Sequence, residues 1–261
     1  MLPTLQLGPL SIQTPGLILL AALWIGVSQA GRHAPKFGLS SVMIDNITLV
    51  GLLVGIVGGR ASYVLQNLPA FTRAPLNIIA LNPELFDVWG GLLAAALAVL
   101  IYTQRKGLGW AETFDALMPA AAVVMVGLGL SHLAAGSAYG RPTDLPWGLN
   151  LWGVPRHPTQ VYETLLALGV GILIWPREAG KLGVFGWGVR PGGVFWGFLA
   201  LSALARIVLE TFLAEQTLWL GWLPAGQVIA WGILAVGVFA VGRRLVFVDE
   251  PLSEPTGVTN G

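Results

Sequence analysis

Long apolar stretches dominate this sequence, and they restrict it to a fold that is built inside a bilayer. Seven of them have 17 to 22 residues, and a helix needs about 20 apolar residues to cross the hydrocarbon core. Only 10% of the residues are charged, whereas soluble domains have about 25%. We therefore predict an all-α, polytopic helical membrane bundle with about seven transmembrane helices. The predicted spans are residues 14–30, 47–66, 88–104, 115–135, 159–176, 192–213 and 223–242.

Lysine and arginine are divided unevenly between the two sides of these spans. Nine fall on one side and three on the other. Loops that are rich in Lys and Arg remain in the cytoplasm, so we predict an external N-terminus and a cytoplasmic C-terminus. The nine are Arg32, Lys36, Arg105, Lys106, Arg177, Lys181, Arg190, Arg243 and Arg244. The three are Arg73, Arg141 and Arg156.

The chain is predicted to form one transmembrane domain over residues 1–244. The following segment, 245–261, is polar and is predicted to be a disordered cytoplasmic tail. Polar residues inside the spans admit the hypothesis of a small-molecule transporter. The sequence contains no internal repeat, however, and many transporters are built from repeated halves.

Several kinds of chemistry are excluded by the residue types. The chain has no cysteine, so disulfides, thiolate metal sites and cysteine nucleophiles are excluded. Its three histidines are separated, with no carboxylate at ligand spacing, and we predict neither a metal site nor a cofactor. The 14 basic residues form no stripe, so we predict no binding of nucleic acid.

Of the ionisable residues within or at the start of predicted spans, four suggest a site, namely Arg60, Glu163, Arg206 and Glu210. Asp115, near the start of the fourth span, is instead predicted to stabilise the N-terminus of that helix. A charge inside a bilayer costs about 2.5–3.5 kcal/mol on insertion scales and usually faces a cavity or a partner. Arg206 and Glu210 are four residues apart, so they can pair on one helical face. Ion pairs that merely tie helices together are one interpretation. A functional site is the other, and the group of four favours it.

Two polar islands share the predicted outer loop between the fourth and fifth spans. The first polar island is YGRPTDLPWG, residues 139–148, and the second polar island is PRHPTQVYE, residues 155–163. Within the first, Arg141 and Asp144 are able to pair inside its turns. The second leads the chain back into the membrane at Glu163.

In this order the two islands resemble motifs of the bacterial prolipoprotein diacylglyceryl transferases. Members of that family carry a YGRPTDLPWG-like stretch followed by an RHPSQLYE-like stretch. The resemblance covers residues 8–244, and three further segments agree with it. They are GGRASYVLQNLPAF, ARIVLETF and AGQVIAWGIL.

The resemblance implies a reaction and its partners. A diacylglyceryl group would move from phosphatidylglycerol to the lipobox cysteine thiol in the signal peptide of a preprolipoprotein, and glycerol 1-phosphate would leave. The protein would act in the bacterial cytoplasmic (inner) membrane, with lateral access from the lipid bilayer. The reaction requires no metal.

The resemblance also suggests which residues form the site. Arg206 and Arg60 would hold the phosphate, and Glu210 and Glu163 would orient them. His132 is a candidate base, because the histidine ring titrates near neutrality. The predicted substrate-binding residues are Tyr63, Gly140, Arg141, Arg156, His157, Gln160, Tyr162 and Glu163.

Several positions depart from the family pattern. Trp89 stands where the family has a histidine, and indole cannot act as a base. Gly129 replaces an arginine, and His132 replaces an asparagine. A non-catalytic relative that binds phospholipid or lipoprotein precursors is therefore the alternative hypothesis. The other replacements are Gln13, Pro15, Ala135, Ser137 and Ser202.

Overall fold

A computed structural model describes most of the chain, and helices make up most of it. The described residues are 4–7, 10–73, 75–79, 85–151, 153–183, 186–219 and 221–246. The helices are α1 (Thr14–His33), α2 (Ser41–Gln66), α3 (Leu68–Arg73), α4 (Val88–Arg105), α5 (Trp110–Ala135), α6 (Thr159–Ile174), α7 (Gly193–Glu210) and α8 (Ala225–Gly242). Two 3₁₀ turns cover Ala34–Phe37 and Pro75–Ile79.

Short antiparallel strands connect the helices. The strands are β1 (Thr4–Leu7), β2 (Leu10–Gln13), β3 (Leu149–Leu151), β4 (Val154–Arg156), β5 (Lys181–Leu182), β6 (Trp187–Val189), β7 (Leu218–Trp219), β8 (Leu223–Pro224) and β9 (Leu245–Val246). They pair as β1–β2, β3–β4, β5–β6–β9 and β7–β8. The first two residues of the predicted tail thus lie in β9, and the rest of that tail, 247–261, lies outside the described residues.

The predicted helical membrane bundle is confirmed, with one shorter span. Six described helices have at least 18 residues and are apolar enough to cross a membrane, whereas α6 has 16 residues. At 1.5 Å per residue α6 is about 24 Å long, less than the hydrocarbon core of about 30 Å. It ends before the predicted boundary because Trp175 is extended and precedes Pro176, and a residue before proline avoids the helical conformation.

Local capping explains where several helices begin and end. The Ser40 hydroxyl accepts a hydrogen bond from the amide of Met43 (3.2 Å) and caps α2. At α4, the carboxylate of Asp87 accepts from the amides of Trp89 and Gly90. At its C-terminus, α5 ends at Gly136, whose φ of 74° lies in the left-handed region that favours glycine.

Contacts between helix ends define two ends of the bundle. The island end carries residues 137–158, and there the Ser131 hydroxyl donates to the carbonyl of Pro15 (3.2 Å). The opposite end, called the basic end, brings α1 to α6, because Lys36 Nζ donates to the carbonyl of Pro176 (2.5 Å). Alternating helix directions place every predicted catalytic residue toward the island end. The predicted side of the membrane for each end stays a prediction.

Buried apolar side chains concentrate toward the basic end, where they pack α5 against α1, α6 and α7. The predicted catalytic residues lie toward the island end, whereas the buried polar side chains of Thr103, Thr113 and Asp115 lie at the basic end. One cluster contains Met118, Ala122, Ile174, Leu182, Val189 and Val194. A second contains Ala30, Ala34, Leu39, Ile44 and Ala116.

Asp115 is buried at the basic end and caps a helix other than its own. Its carboxylate accepts hydrogen bonds from the amides of Gly192 (2.6 Å) and Phe195 (2.7 Å), at the start of α7. The sequence suggested instead that Asp115 stabilises the N-terminus of the fourth span. That expectation was wrong because α5 begins at Trp110, so the amides that need a cap lie before Asp115.

Small residues allow α2 and α4 to pack closely. A Cβ placed on Gly58 would lie only 2.2 Å from the Cβ of Ala94, and one on Gly59 would lie 2.9 Å from the carbonyl oxygen of Asp87. Contacts of this kind drive helix association in membranes, where van der Waals packing replaces the hydrophobic effect.

Replacing Gly58 with leucine is expected to destabilise the protein by about 1–3 kcal/mol, because overpacking forces the backbones apart. Thermal unfolding of the purified protein in mild detergent measures the effect. Gly232→Leu is the matched control, since no atom lies within 4 Å of a Cβ built on that helical glycine. Equal melting temperatures for both variants would contradict close α2–α4 packing.

Candidate functional site

The first polar island is fixed by backbone pairing to the end of α7 and to β4. Gly140 pairs with Leu213, and the amide of Arg141 donates to the carbonyl of Phe212 (2.8 Å). On the other side, the amide of His157 donates to the carbonyl of Arg141 (3.0 Å). A Cβ on Gly140 would lie 2.4 Å from the carbonyl oxygen of His157, so this position requires glycine. The two islands and the end of α7 therefore form one connected unit.

The guanidinium of Arg141 binds the loop after α7. Its Nε donates to the carbonyl of Leu213 (3.1 Å), and one terminal nitrogen donates to Oε1 of Gln216 (3.2 Å). The sequence allows Arg141 to pair with Asp144, but the described residues contain no ion pair between the two. Gln216 in turn donates to the carbonyl of Glu210. This chain of hydrogen bonds links the first polar island to the last residue of α7.

Aromatic side chains of the second polar island pack on the end of α7. The ring of Phe212 lies 5.1 Å from that of His157 and 5.5 Å from that of Tyr162. The hydroxyl of Tyr162 accepts a hydrogen bond from the indole nitrogen of Trp147 (2.9 Å). Two of the predicted substrate-binding residues thus share one aromatic cluster.

Two other predicted substrate-binding residues support the connecting backbone. The guanidinium of Arg156 lies 5.1 Å from the ring of Tyr139 and donates to the carbonyl of Gly140 (3.3 Å). Gln160 is completely buried, and its amide nitrogen donates to the carbonyl of Ser137 (2.8 Å). Both side chains hold the loop between α5 and α6 in place.

Arg206 and Glu210 form the predicted ion pair, with 2.5 Å between a guanidinium nitrogen and Oε1. The side chain of Arg206 is 48% exposed, whereas that of Glu210 is 4% exposed. The carboxylate lies at the start of α8, because a Cβ on Gly226 would be 2.2 Å from Oε1. A helix N-terminus favours an acid. Glu210 is therefore held from two sides and leaves part of the Arg206 guanidinium accessible.

His132 and Glu163 form a second pair, which the sequence did not predict. Nδ1 of His132, on α5, lies 2.7 Å from Oε2 of Glu163, on α6. The sequence suggested that Glu163 orients an arginine. In the structure its carboxylate contacts a histidine instead, because α5 and α6 pack directly against each other.

Arg60 is buried on α2, and its guanidinium is occupied by backbone carbonyls. It donates to Ile78 (2.9 Å), to Leu85 (2.7 Å) and to Asn77. Three aromatic rings surround it at 5.3 to 6.0 Å, those of Tyr63, Phe71 and Phe86. None of these partners belongs to α5, α6 or α7. The structure thus gives Arg60 and Tyr63 different partners from those of Arg206.

Two positions that depart from the family pattern lie outside the polar contacts. Trp89 is 79% exposed at the start of α4. Gly129 packs against α6, where a Cβ would lie 2.5 Å from Oγ1 of Thr164 and 2.9 Å from its backbone nitrogen. An arginine cannot occupy this position unless α5 and α6 separate.

A polar cluster that the sequence did not predict joins α2 to α4. The Ser62 hydroxyl donates to Oδ2 of Asp87 (2.6 Å), and the amide of Gln66 donates to the same oxygen (2.9 Å). The hydrogen bond from Ser62 holds the pKa of Asp87 below its ordinary value. An acid just before an apolar helix start is the signal that could have revealed the cap.

In the ranges that the structure describes, no group of three His, Asp or Glu side chains is placed to hold a metal ion. The ionisable side chains form pairs instead. Their arrangement defines an integral membrane protein with a partly accessible arginine and a histidine–carboxylate pair, both at one end of its helices.

A family model described as prolipoprotein diacylglyceryl transferase matches residues 3–243, and the chain belongs to this family. Similar proteins carry the name phosphatidylglycerol–prolipoprotein diacylglyceryl transferase. The protein from Geobacter sulfurreducens is 34% identical over 257 residues, covering 92% of this chain and 95% of the relative. The protein from Solidesulfovibrio magneticus is 30% identical over 254 residues, covering 92% of each. The protein from Nitrobacter winogradskyi is 33% identical over 264 residues, covering 93% and 86%.

Proposed function

We propose that this protein transfers the diacylglyceryl group of phosphatidylglycerol to the lipobox cysteine thiol of preprolipoproteins, in the bacterial cytoplasmic membrane. The observation that carries the proposal is the partly exposed Arg206, fixed by Glu210 in a bundle that belongs to the transferase family. The names of the relatives indicate the lipid and the protein substrate. In this proposal the island end faces outward.

The phosphate of the lipid is the group that Arg206 would bind. A guanidinium donates two parallel hydrogen bonds to a phosphate, and such charge-assisted bonds are stronger than neutral ones. The effective dielectric constant beside a protein surface is lower than in bulk water, so the electrostatic contact is stronger there. Glu210 keeps the guanidinium in one position, which reduces the entropy lost when the lipid binds.

The transfer requires a nucleophilic sulfur and a stabilised leaving group. The thiol of the cysteine loses its proton to a base, and the sulfur then bonds to the glyceryl carbon that carries the phosphate. The carbon–oxygen bond breaks, its electrons stay on the phosphate, and glycerol 1-phosphate leaves. Arg206 would stabilise the charge that develops on this leaving group.

The remaining predicted site residues are proposed to shape the entrance for the two substrates. The contacts of Gly140, Arg141 and His157 join the two polar islands to the end of α7, so they would position this loop at the end of the helix that carries Arg206. Arg60 donates hydrogen bonds to three backbone carbonyls. It is proposed to contact the lipid only when these hydrogen bonds are broken. The proposed substrate-binding residues are Tyr63, Gly140, Arg141, Arg156, His157, Gln160 and Tyr162, whereas the carboxylate of Glu163 contacts His132.

Complementation tests the proposed activity. The chain is expressed in a bacterium that has been depleted of its own diacylglyceryl transferase, together with a reporter lipoprotein. Mass spectrometry should then find a diacylglyceryl thioether on the reporter cysteine, and growth should recover. A reporter whose lipobox cysteine is replaced by serine is the control and should stay unmodified.

Absence of the thioether, with the protein present in the membrane at normal levels, would contradict the proposed activity. The non-catalytic relative that binds phospholipid or lipoprotein precursors would then be favoured. The exposed Trp89 is the observation behind this second candidate, because no base stands at the position of the family histidine. Retention of phosphatidylglycerol by the purified, inactive protein would support it.

A further inference from the structure

The pair formed by His132 and Glu163 has the geometry of a base held by a carboxylate. Nδ1 and Oε2 are 2.7 Å apart, the His132 side chain is 29% exposed, and that of Glu163 is 11% exposed. The acid is therefore the more enclosed partner, and the imidazole is the more accessible one.

The helices approach each other closely beside this pair. Gly129 lies three residues before His132 on α5, about one turn away, and Thr164 follows Glu163 on α6. A Cβ on Gly129 would come within 2.5 Å of Oγ1 and 2.9 Å of the backbone nitrogen of Thr164. The absence of a side chain at Gly129 lets α5 and α6 come together. This approach brings the imidazole within hydrogen-bonding distance of the carboxylate.

The carboxylate fixes which ring nitrogen carries hydrogen. An ionised Glu163 only accepts hydrogen bonds, so Nδ1 of His132 must be the donor. The neutral ring then presents Nε2 as a proton acceptor, and Nε2 has no hydrogen-bond partner among the described residues. The same relationship orients the imidazole of a catalytic triad and stabilises it once it is protonated.

The pair also lies toward the same end of the bundle as the proposed phosphate site. His132 is three residues before the end of α5, and Arg206 is four residues before the end of α7. Both helices run toward the island end, so His132 lies about 4.5 Å and Arg206 about 6 Å from its own helix terminus. Helices α5, α6 and α7 pack against one another. The base and the phosphate-binding arginine are therefore carried near the island end of neighbouring helices.

We propose that His132 is the catalytic base, that Glu163 is its positioning residue, and that the α5–α6 contact at Gly129 assembles them. The proposal rests on the proposed transferase function. Nε2 takes the proton from the cysteine thiol, and the sulfur forms the bond to the glyceryl carbon while the carbon–oxygen bond breaks. The proton then passes from His132 to the departing phosphate or to water, which restores the neutral ring.

The test uses the full-length protein in vesicles of phosphatidylglycerol and phosphatidylcholine with a synthetic lipobox peptide. His132→Gln should reduce the transfer rate at pH 7 about 100-fold or more, the range typical of a lost general base. Its residual rate should rise as pH passes the ordinary pKa of a cysteine thiol, about 8.5. Added imidazole should partly restore His132→Ala, which separates loss of the base from misfolding.

Glu163→Gln should lower kcat about tenfold or more with little change in KM, because an amide can donate to Nδ1 and favour the wrong tautomer. Glu163→Asp keeps the carboxylate and should recover part of the rate. Gly129→Ala should reproduce the Glu163→Gln effect. Gly169→Ala on α6 is the matched control, since no atom lies within 4 Å of a Cβ built there. His33→Gln, at the basic end, should leave the transfer rate unchanged.

Three outcomes decide between the possibilities. Loss of rate in His132→Gln with rescue by imidazole supports the dyad. A His132→Gln variant that matches the wild-type rate and pH profile overturns the dyad and leaves the transferase function standing. A wild-type protein that transfers nothing to the peptide overturns both.

Discussion

Arg206→Ala is expected to reduce diacylglyceryl transfer about 100-fold or more. The guanidinium is half-exposed beside a carboxylate that is almost completely buried, so it is the cation available to a lipid phosphate. Loss of one preorganised donor to a developing oxyanion costs about 10² to 10³ in rate in other enzymes. Transfer to a lipobox peptide in vesicles that contain phosphatidylglycerol measures the effect.

Two variants control for the loss of charge and for the loss of fold. Arg206→Lys keeps the charge and the partner of Glu210 but loses the planar fork, so an intermediate rate is expected. Arg105→Ala removes an exposed arginine at the C-terminus of α4, toward the basic end, and should leave the transfer rate unchanged. If folded Arg206→Ala kept more than about a tenth of the wild-type rate, the phosphate would have to bind elsewhere.

Arg60→Ala is expected to destabilise the protein by about 3 kcal/mol, because three backbone carbonyls lose a charged donor. The side chain donates to Ile78, Leu85 and Asn77 and lies among three aromatic rings. Residues 75–79, which carry two of these carbonyls, should unfold locally before the rest of the bundle unfolds. Thermal unfolding in mild detergent and hydrogen exchange of residues 75–79 measure both effects.

The same variant separates a structural role of Arg60 from a role in binding phosphate. Arg60→Lys keeps one donor and should lie between alanine and the wild type in stability. A melting temperature equal to that of the wild type, combined with lost transfer, would contradict the structural role. It would instead favour the sequence-based prediction that Arg60 binds the lipid.

The helices could be predicted from the sequence because hydrophobic runs of sufficient length have one stable form in a bilayer. The pair of Arg206 and Glu210 could also be predicted, since a spacing of four residues brings side chains together on any helix. Local information was sufficient in both cases. The early end of α6 also depends on neighbouring residues alone, because Pro176 restricts the backbone conformation of Trp175.

The contacts of Arg141, Glu163 and Arg60 could not be predicted in this way. Arg141 binds a loop 72 residues later in the chain, and Glu163 binds a histidine 31 residues earlier. A nearby acid such as Asp144 is an attractive partner in sequence. The backbone pairing of Gly140 with Leu213 decides instead where the Arg141 side chain reaches.

The shortness of α6 has a consequence for the lipid around it. A span of about 24 Å in a core of about 30 Å is a case of hydrophobic mismatch, which a bilayer accommodates by becoming locally thinner. Glu163 lies in the first turns of this helix. We expect the leaflet at the island end to dip beside α6, so that phospholipid headgroups approach the ionisable residues without leaving their leaflet.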